Sequence, residues 1–263
     1  MNPVVIVGEM AGTHDLNYDS AVELIRVADQ AGCDGVKMQF CSNPARMAQR
    51  RNIPDASGYR RLAFSAHWLP ALRAECEKRK LQFLMSVFLP EDVAIVAPHV
   101  NALKIASLES GDKKIVRTCI ETGLPVFIST GCMNQALYHQ IKSHYECLSG
   151  WNQLVWMHST SAYPVRADQI NLRCIADGFE GYSDQTGKTM TGALAIASGA
   201  KYLEVHYKFP GTLTDNPDFG HSLTPEKLTE YVKLARLSEI ICGDGIKRIQ
   251  PSEIALEAHR VKG

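Results

Sequence analysis

Short runs of β-branched and apolar residues recur along the chain at 4–9, 35–40, 82–87, 102–107, 125–130, 154–160, 180–186 and 202–207. Each has the length and composition of a buried strand. Between them lie segments whose apolar residues fall near three-and-four spacing, among them 20–31, 69–80, 112–122, 134–144 and 188–198, and this pattern predicts amphipathic helices. Glycines stand at the helix exits, as Gly32, Gly123 and Gly199. Eight β units, each followed by a helix, in 263 residues predict an α/β fold of one domain, a (β/α)8 TIM barrel over residues 1–250 with a linker-like tail at 251–263. A doubly wound open sheet is the alternative, but no Gly-x-Gly-x-x-Gly follows the first strand. The long connection 41–66 is either a lid over the mouth or an ordinary loop with a short helix.

A closed barrel constrains alternate positions. Outward side chains meet helices and must be apolar, whereas inward ones near the C-terminal strand ends line a site. Val36, Met38 and Phe40 face one way while Lys37 and Gln39 face the other, and Leu103 and Ile105 oppose Lys104. The same parity turns Val5, Val7 and Glu9 inward on the first strand, Ser129 on the fifth and His158 on the sixth. It does the same for Ser183 and Gln185 on the seventh and for Glu204 and His206 on the eighth, with Val205 outward. Two lysines, two serines and an acid beside an imidazole at one mouth suit a small anionic substrate bearing a phosphate or carboxylate. The plainer alternatives are an ion pair across the barrel for the lysines with Glu9 or Glu204, a hydrogen-bonded core histidine for His206, and turn serines.

With 45% hydrophobic and 21% charged residues the chain reads as an ordinary soluble globular protein. Its 28 basic and 28 acidic residues cancel, which leaves no field to attract polyanions, so no nucleic-acid partner is expected. The one basic cluster, 46–51, reads as a solvated loop. Eight irregularly spaced cysteines without a Cys-x-x-Cys pair predict reduced thiols and a cytoplasmic location. The first apolar run lacks a basic leader, and no run approaches the roughly 18 apolar residues of a membrane span, so neither secretion nor membrane insertion is expected.

In order along the chain stand Gly8-Glu9 with His14, Val36-Lys37-Met38-Gln39, Leu103-Lys104-Ile105-Ala106-Ser107, Ile128-Ser129-Thr130-Gly131 and His158-Ser159-Thr160-Ser161-Ala162-Tyr163-Pro164. Gly181-Tyr182-Ser183-Asp184, Leu203-Glu204-Val205-His206 and Asn216-Pro217-Asp218 followed by Ser222-Leu223 complete the series. Each motif alone is weak. Together, at barrel spacing, they resemble the sialic acid synthases and their relatives, which condense phosphoenolpyruvate with an aldehyde sugar, and the resemblance spans nearly the whole chain. It implies that Lys104, Ser107, Ser129 and Ser183 hold the phosphate and carboxylate of phosphoenolpyruvate, with Lys37, Gln39 and Ser161 lining the same pocket. Glu9 and Glu204 would be proton-transfer or water-orienting carboxylates, Lys37 would belong with them among the catalytic groups, and Tyr163 and Asp218 would contact the acceptor aldose. A divalent metal, Mn2+ or Mg2+, would be held by His206.

Departures from the family pattern bear on that metal. Where the family has a second metal-binding histidine this chain has Gln185, whose neutral amide oxygen stands as the second ligand beside His206, and the expectation is weaker metal binding, a shift toward harder ions, or a metal-free site. The acid Asp218 is kept but the histidine that follows it in the family is replaced by Phe219; His221, two residues on, either compensates for it or, as the plainer reading, is a solvent-exposed loop residue. Family members continue into an antifreeze-like domain that caps the partner's site. Here the chain stops at Gly263, so a homodimer or a separate capping chain is the expected partner, or the 41–66 loop takes its place. The readings that compete with a synthase are a catalytically silent barrel that binds a phosphorylated metabolite or a partner, and a lyase forming a Schiff base at Lys104.

Overall fold

A computed structural model describes residues 3–149, 154–257 and 259–261. The chain alternates strands and helices in the order β1 (Val5–Ala11), α1 (Tyr18–Ala31), β2 (Gly35–Phe40), α2 (Pro44–Arg50), α3 (Trp68–Lys78), β3 (Gln82–Val87), α4 (Pro90–Val96), β4 (Ala102–Ile105) and α5 (Lys113–Ile120). It continues with β5 (Val126–Ser129), α6 (Gln135–Ser149), β6 (Leu154–His158), β7 (Gly181–Asp184), α7 (Thr191–Ala197), β8 (Tyr202–His206), α8 (Pro225–Cys242) and a short α9 (Ile254–Glu257). The eight strands are all parallel and close into a barrel in sequence order, β8 pairing back onto β1. The expected TIM-type barrel is the observed fold. Of the tail expected at 251–263, residues 258, 262 and 263 lie outside the described residues, as do 1–2 and 150–153 of the expected barrel domain.

Two apolar layers hold the barrel. Outside, residues such as Leu24, Ile25, Val36, Met38, Leu103, Val205 and Tyr231 form one continuous core between strands and helices. Inside, Val7, Leu84, Ala102, Phe127 and Met157 plug the lower half. That plug confines solvent and polar side chains to the upper, C-terminal half. Gly181 is required by it, since a Cβ there would lie 2.3 Å from Met157 Sδ and 2.7 Å from the Tyr202 carbonyl.

The helix exits follow the sequence: Gly32 caps α1 with a left-handed φ of 85°, and its N–H reaches the Ala28 and Asp29 carbonyls. The expectation of a helix after every strand fails at β6. Two short 3₁₀ turns, Ala167–Gln169 and Leu172–Asp177, replace it, broken by left-handed Asn171 and Gly178 and preceded by Pro164. His158 also departs from its expected inward position. β6 begins with outward-facing Leu154, so Trp156 and His158 share that outer face, while Val155 and Met157 point inward. The His158 ring sits near Phe179 and Tyr182, with Nε2 2.7 Å from the Ile170 carbonyl.

Candidate active site at the barrel mouth

Above the apolar plug opens a cavity of about 400 Å³, and every site residue expected from the sequence lines it. β1 delivers Glu9, fully buried where the strand's register shifts, and the Ala11 N–H donates to its carboxylate. β2 delivers Lys37, which ion-pairs with Glu9, donates to Ser86 Oγ at 2.7 Å and lies 3.6 Å from Glu204. β4 delivers Lys104, which donates to both Glu204 oxygens at 3.2 and 3.0 Å. Ser183 Oγ adds a bond of 2.8 Å to Glu204 and accepts from Gln185 Nε2 at 3.2 Å. The cross-barrel ion pairs weighed from the sequence are therefore present. They link two acids and two ammonium groups into one buried chain.

Burial and charge act differently on the two acids. Burial raises Glu9 above the usual carboxylate range despite the attraction of Lys37. Burial acts in the same direction on Glu204, but Lys104 and Lys37 overcome it and hold the carboxylate down to about 2. Lys104 is pulled down by burial against the attraction of Glu204.

A second wall carries hydroxyls. Ser129 Oγ and Ser161 Oγ are buried without a hydrogen-bond partner, while Ser107 Oγ accepts from the Gly131 N–H at 3.0 Å. Gly131 is what keeps these hydroxyls accessible: a Cβ there would stand 2.2 Å from Ser161 Oγ and 2.8 Å from Ser107 Oγ.

The third wall comes from β8 and the loop after it. His206 is buried, with Nδ1 unpartnered, and its ring centroid lies 4.6 Å from that of His221. His221, expected in solvent, is only 2% exposed, because the loop folds back across the mouth and its backbone rejoins β8 through a Leu223 N–H to His206 carbonyl bond of 2.9 Å. Burial lowers His206 well below 6.5 and His221 to about 4, so both rings are neutral. Asp218, at the same wall, accepts from the Gly12 N–H at 3.3 Å. Tyr163 stands at the rim, 58% exposed, with its ring 5.2 Å from that of His221. Two groups of donors among the described residues have the compactness of a metal site: His206, Asp218 and His221, and Glu9, Glu204 and His206.

The 41–66 connection forms the fourth wall. Met47 and Arg51 in and just after α2, and Gly58, Tyr59 and Leu62 beyond it, reach the cavity. Arg61 ties this segment to the neighbouring loops after β1 and β8 through Asp15 and Asp215, each at 2.9 Å. Arg51, read from the sequence as part of a solvated loop, makes a two-pronged pair with Glu109 at 2.7 Å and lies over the rings of Tyr59 and Phe88. No pattern in the chain marked it. Ser86 was legible, since on β3 it shares the inward face of Leu84.

Residues 24–247 match the NeuB family. The chain belongs to that family. Among its relatives, N,N'-diacetyllegionaminic acid synthase of Legionella pneumophila is 28% identical over 96% of this chain and 77% of its own length. The human N-acetylneuraminate-9-phosphate synthase is 27% identical, over 97% of this chain and 75% of its own. In fold, this NeuB-family chain superposes on a sialic acid synthetase from Leptospira borgpetersenii with a TM-score of 0.87 at 23% identity, covering 98% of this chain and 92% of that one. No helix among its described residues is long and apolar enough to cross a membrane.

Proposed function

We propose that this protein condenses phosphoenolpyruvate with a small aldose, forming a sialic-acid-like 2-keto-3-deoxy sugar acid and releasing phosphate. The observation that carries this reading is the donor set of the cavity: two buried ammonium groups beside Ser129 and Ser161 hydroxyls that have no partner. A compact polyanion loses its water on entry and needs cations and several hydroxyl or N–H donors in return. Lys104, Ser107, Ser129 and Ser183 take its phosphate and carboxylate, with Lys37, Gln39 and Ser161 completing the pocket. Tyr163, exposed at the rim, and Asp218 receive the aldose.

The two acids take different parts. The enol carbon bonds to the aldehyde carbon, whose oxygen takes a proton from the Glu9 carboxyl; water adds to the cationic carbon left behind and gives a proton back to Glu9; the carbon–oxygen bond to phosphate then breaks as the ketone forms, the remaining hydroxyl proton leaving with the phosphate. Glu204, held ionised by two lysines, stabilises the developing positive charge. Glu9, raised by burial, is suited to carry the proton lost by the water. Lys37, bonded to one acid and close to the other, keeps both oriented. The neutral His206, with Nδ1 unpartnered, and the unpartnered Gln185 Oε1 fit a divalent cation, Mn2+ or Mg2+. When bound, that ion would polarise the aldehyde oxygen.

Phosphate release from phosphoenolpyruvate, Mn2+ and a panel of aldoses tests the reading. Release that depends on one aldose, with a product of the summed mass, is the expected result. Binding of phosphoenolpyruvate without release for any aldose would instead favour the silent barrel. For the Schiff-base alternative, borohydride trapping is expected to give no adduct, because Lys104 is engaged by both Glu204 oxygens rather than set against an apolar wall. A homodimer or a separate capping chain fits the exposed apolar side chains Ile240, Ile241, Ile246 and Ile249 at and after the end of α8. A monomeric mass in sedimentation, with full activity alone, would exclude both.

A further inference from the structure

We propose that His221 is a metal ligand, and that it completes with His206 and Asp218 a three-donor site for a divalent transition ion on the β8 wall of the cavity. The inference rests on the reading of the cavity as a metal-assisted synthase site and assigns its cation to particular atoms. Gln185 cannot supply a second nitrogen, because an amide nitrogen carries hydrogens and no free lone pair, and here Nε2 donates to Ser183.

The geometry supplies one from elsewhere. His206 Nδ1 and His221 Nε2 are both buried and neither has a hydrogen-bond partner. Leaving two such atoms unmatched costs on the order of 1–3 kcal/mol each, so a folded site is expected to satisfy them with a ligand. One ligand atom from each of His206, Asp218 and His221 lies within 4.8 Å of the others, and His221 Nε2 stands 3.6 Å from Asp218 Oδ1. The competing trio of Glu9, Glu204 and His206 is the poorer cation site. Its two carboxylates are already paired with Lys37 and Lys104, whose charges would repel an incoming cation.

The loop that carries His221 and Asp218 is built in place. Asn216 Nδ2 donates to the Gly12 carbonyl at 2.8 Å and to Asp15 at 2.7 Å, and its Oδ1 accepts from the Asp218 N–H at 3.0 Å. Ser222 donates through Oγ to the Asp218 carbonyl at 2.6 Å, and Leu223 bonds back to His206 itself. Ligands fixed in this way lose little freedom on binding. Two imidazoles and one carboxylate favour Mn2+ over Mg2+, since Mg2+ prefers oxygen alone. The set faces the cavity, leaving coordination positions for water or substrate oxygen.

The test is Mn2+ binding by the full chain without substrates, with coordinated nitrogens counted by pulsed electron paramagnetic resonance. The wild type is expected to show two imidazole nitrogens and to bind Mn2+ more tightly than Mg2+. His221→Gln is expected to show one nitrogen and at least about tenfold weaker binding, the lower end of what a merely supporting group contributes. Asp218→Asn keeps the shape of its side chain and is expected to weaken binding while both nitrogens stay. One nitrogen in the wild type, or two in His221→Gln, would overturn the proposal. If His221→Gln fails to fold, the wild-type count and Asp218→Asn decide: fewer than two nitrogens in either, or unchanged Asp218→Asn affinity, overturns it. Metal-free titration with phosphoenolpyruvate separates the two readings. Failure to bind it strikes the synthase reading and leaves the nitrogen count standing, whereas binding with a wrong nitrogen count strikes only the His221 site.

Discussion

Lys104→Met tests the buried charge chain, because methionine keeps an unbranched side chain, one atom shorter, and removes the ammonium group with its charge and its bonds to Glu204. In the wild type two acids face two ammonium groups; in the variant Glu9 and Glu204 share Lys37 alone. An unpaired buried carboxylate is costly, and breaking such a pair typically costs about 3–5 kcal/mol. Proton uptake by the coupled acids caps the penalty. Neutralising a carboxyl with an ordinary pKa near 4.3 costs about 1.4 kcal/mol per pH unit above that value, or about 3.7 kcal/mol at pH 7 and about 1 kcal/mol at pH 5. The sign follows from linkage: the folded variant binds one more proton than its unfolded chain, so its deficit against the wild type grows as pH rises. Urea unfolding followed by tryptophan fluorescence at the two pH values measures it. A deficit that is the same at pH 5 and pH 7 would mean that no carboxyl takes up a proton and that the buried charges are not coupled in this way. Lys104→Met with Glu204→Gln removes both charges and is expected to lose the pH dependence and regain most of the stability.

Three further outcomes follow from the geometry. Gly131→Ala puts a methyl group against Ser107 and Ser161, and displacing two hydroxyl contacts at about 1.5 kcal/mol each predicts roughly 100-fold weaker phosphoenolpyruvate binding by calorimetry. His14 is buried against the edges of Phe64 and Trp68, and burial lowers its pKa to about 4. The unfolded chain binds the extra proton between that value and about 6.5, so this group makes stability rise with pH across that window, by about 2 kcal/mol from pH 5 to pH 7.5. His14→Asn, which keeps an acceptor for the Leu16 N–H, should flatten the unfolding profile by that amount. Arg61→Ala cuts the partly exposed ties to Asp15 and Asp215, which predicts a global loss under about 1 kcal/mol but faster amide exchange over 57–62.

The barrel was legible because its two periodicities are strict. Strands such as β2 alternate apolar outward and functional inward positions, and one parity rule located Glu9, Lys37, Lys104 and Glu204 together at the mouth. That rule fails where its phase is set by one end residue, and β6 shows it: starting the strand on outward Leu154 puts His158 outside. It also says nothing of loops. His221 and Arg51 owe their burial to backbone paths fixed by distant partners, Asn216 to Gly12 in one case and Glu109 in the other, and no local spacing encodes such contacts. α8 was obscured differently: its later turns expose Leu237, Ile240 and Ile241, so the polar face that would mark an amphipathic helix is interrupted.

The feature that unites the site is β8. Glu204 and His206 stand on its inner face two residues apart, a separation of about 6.5–7 Å along a strand. Glu204 meets the ammonium groups and His206 meets the imidazole and carboxylate of the following loop, so under the proposed function one strand would separate the end that takes the anion from the end that takes the cation. A reaction that joins an anionic enol phosphate to a carbonyl needs the two reactants held at a fixed distance and in fixed order. The residue between them secures this. Val205 is 1% exposed in the outer core, and a slip of one position would send it into the cavity and bury Glu204 and His206 among the helices. The apolar side chain with no chemistry of its own is therefore what keeps the two chemical ends in register.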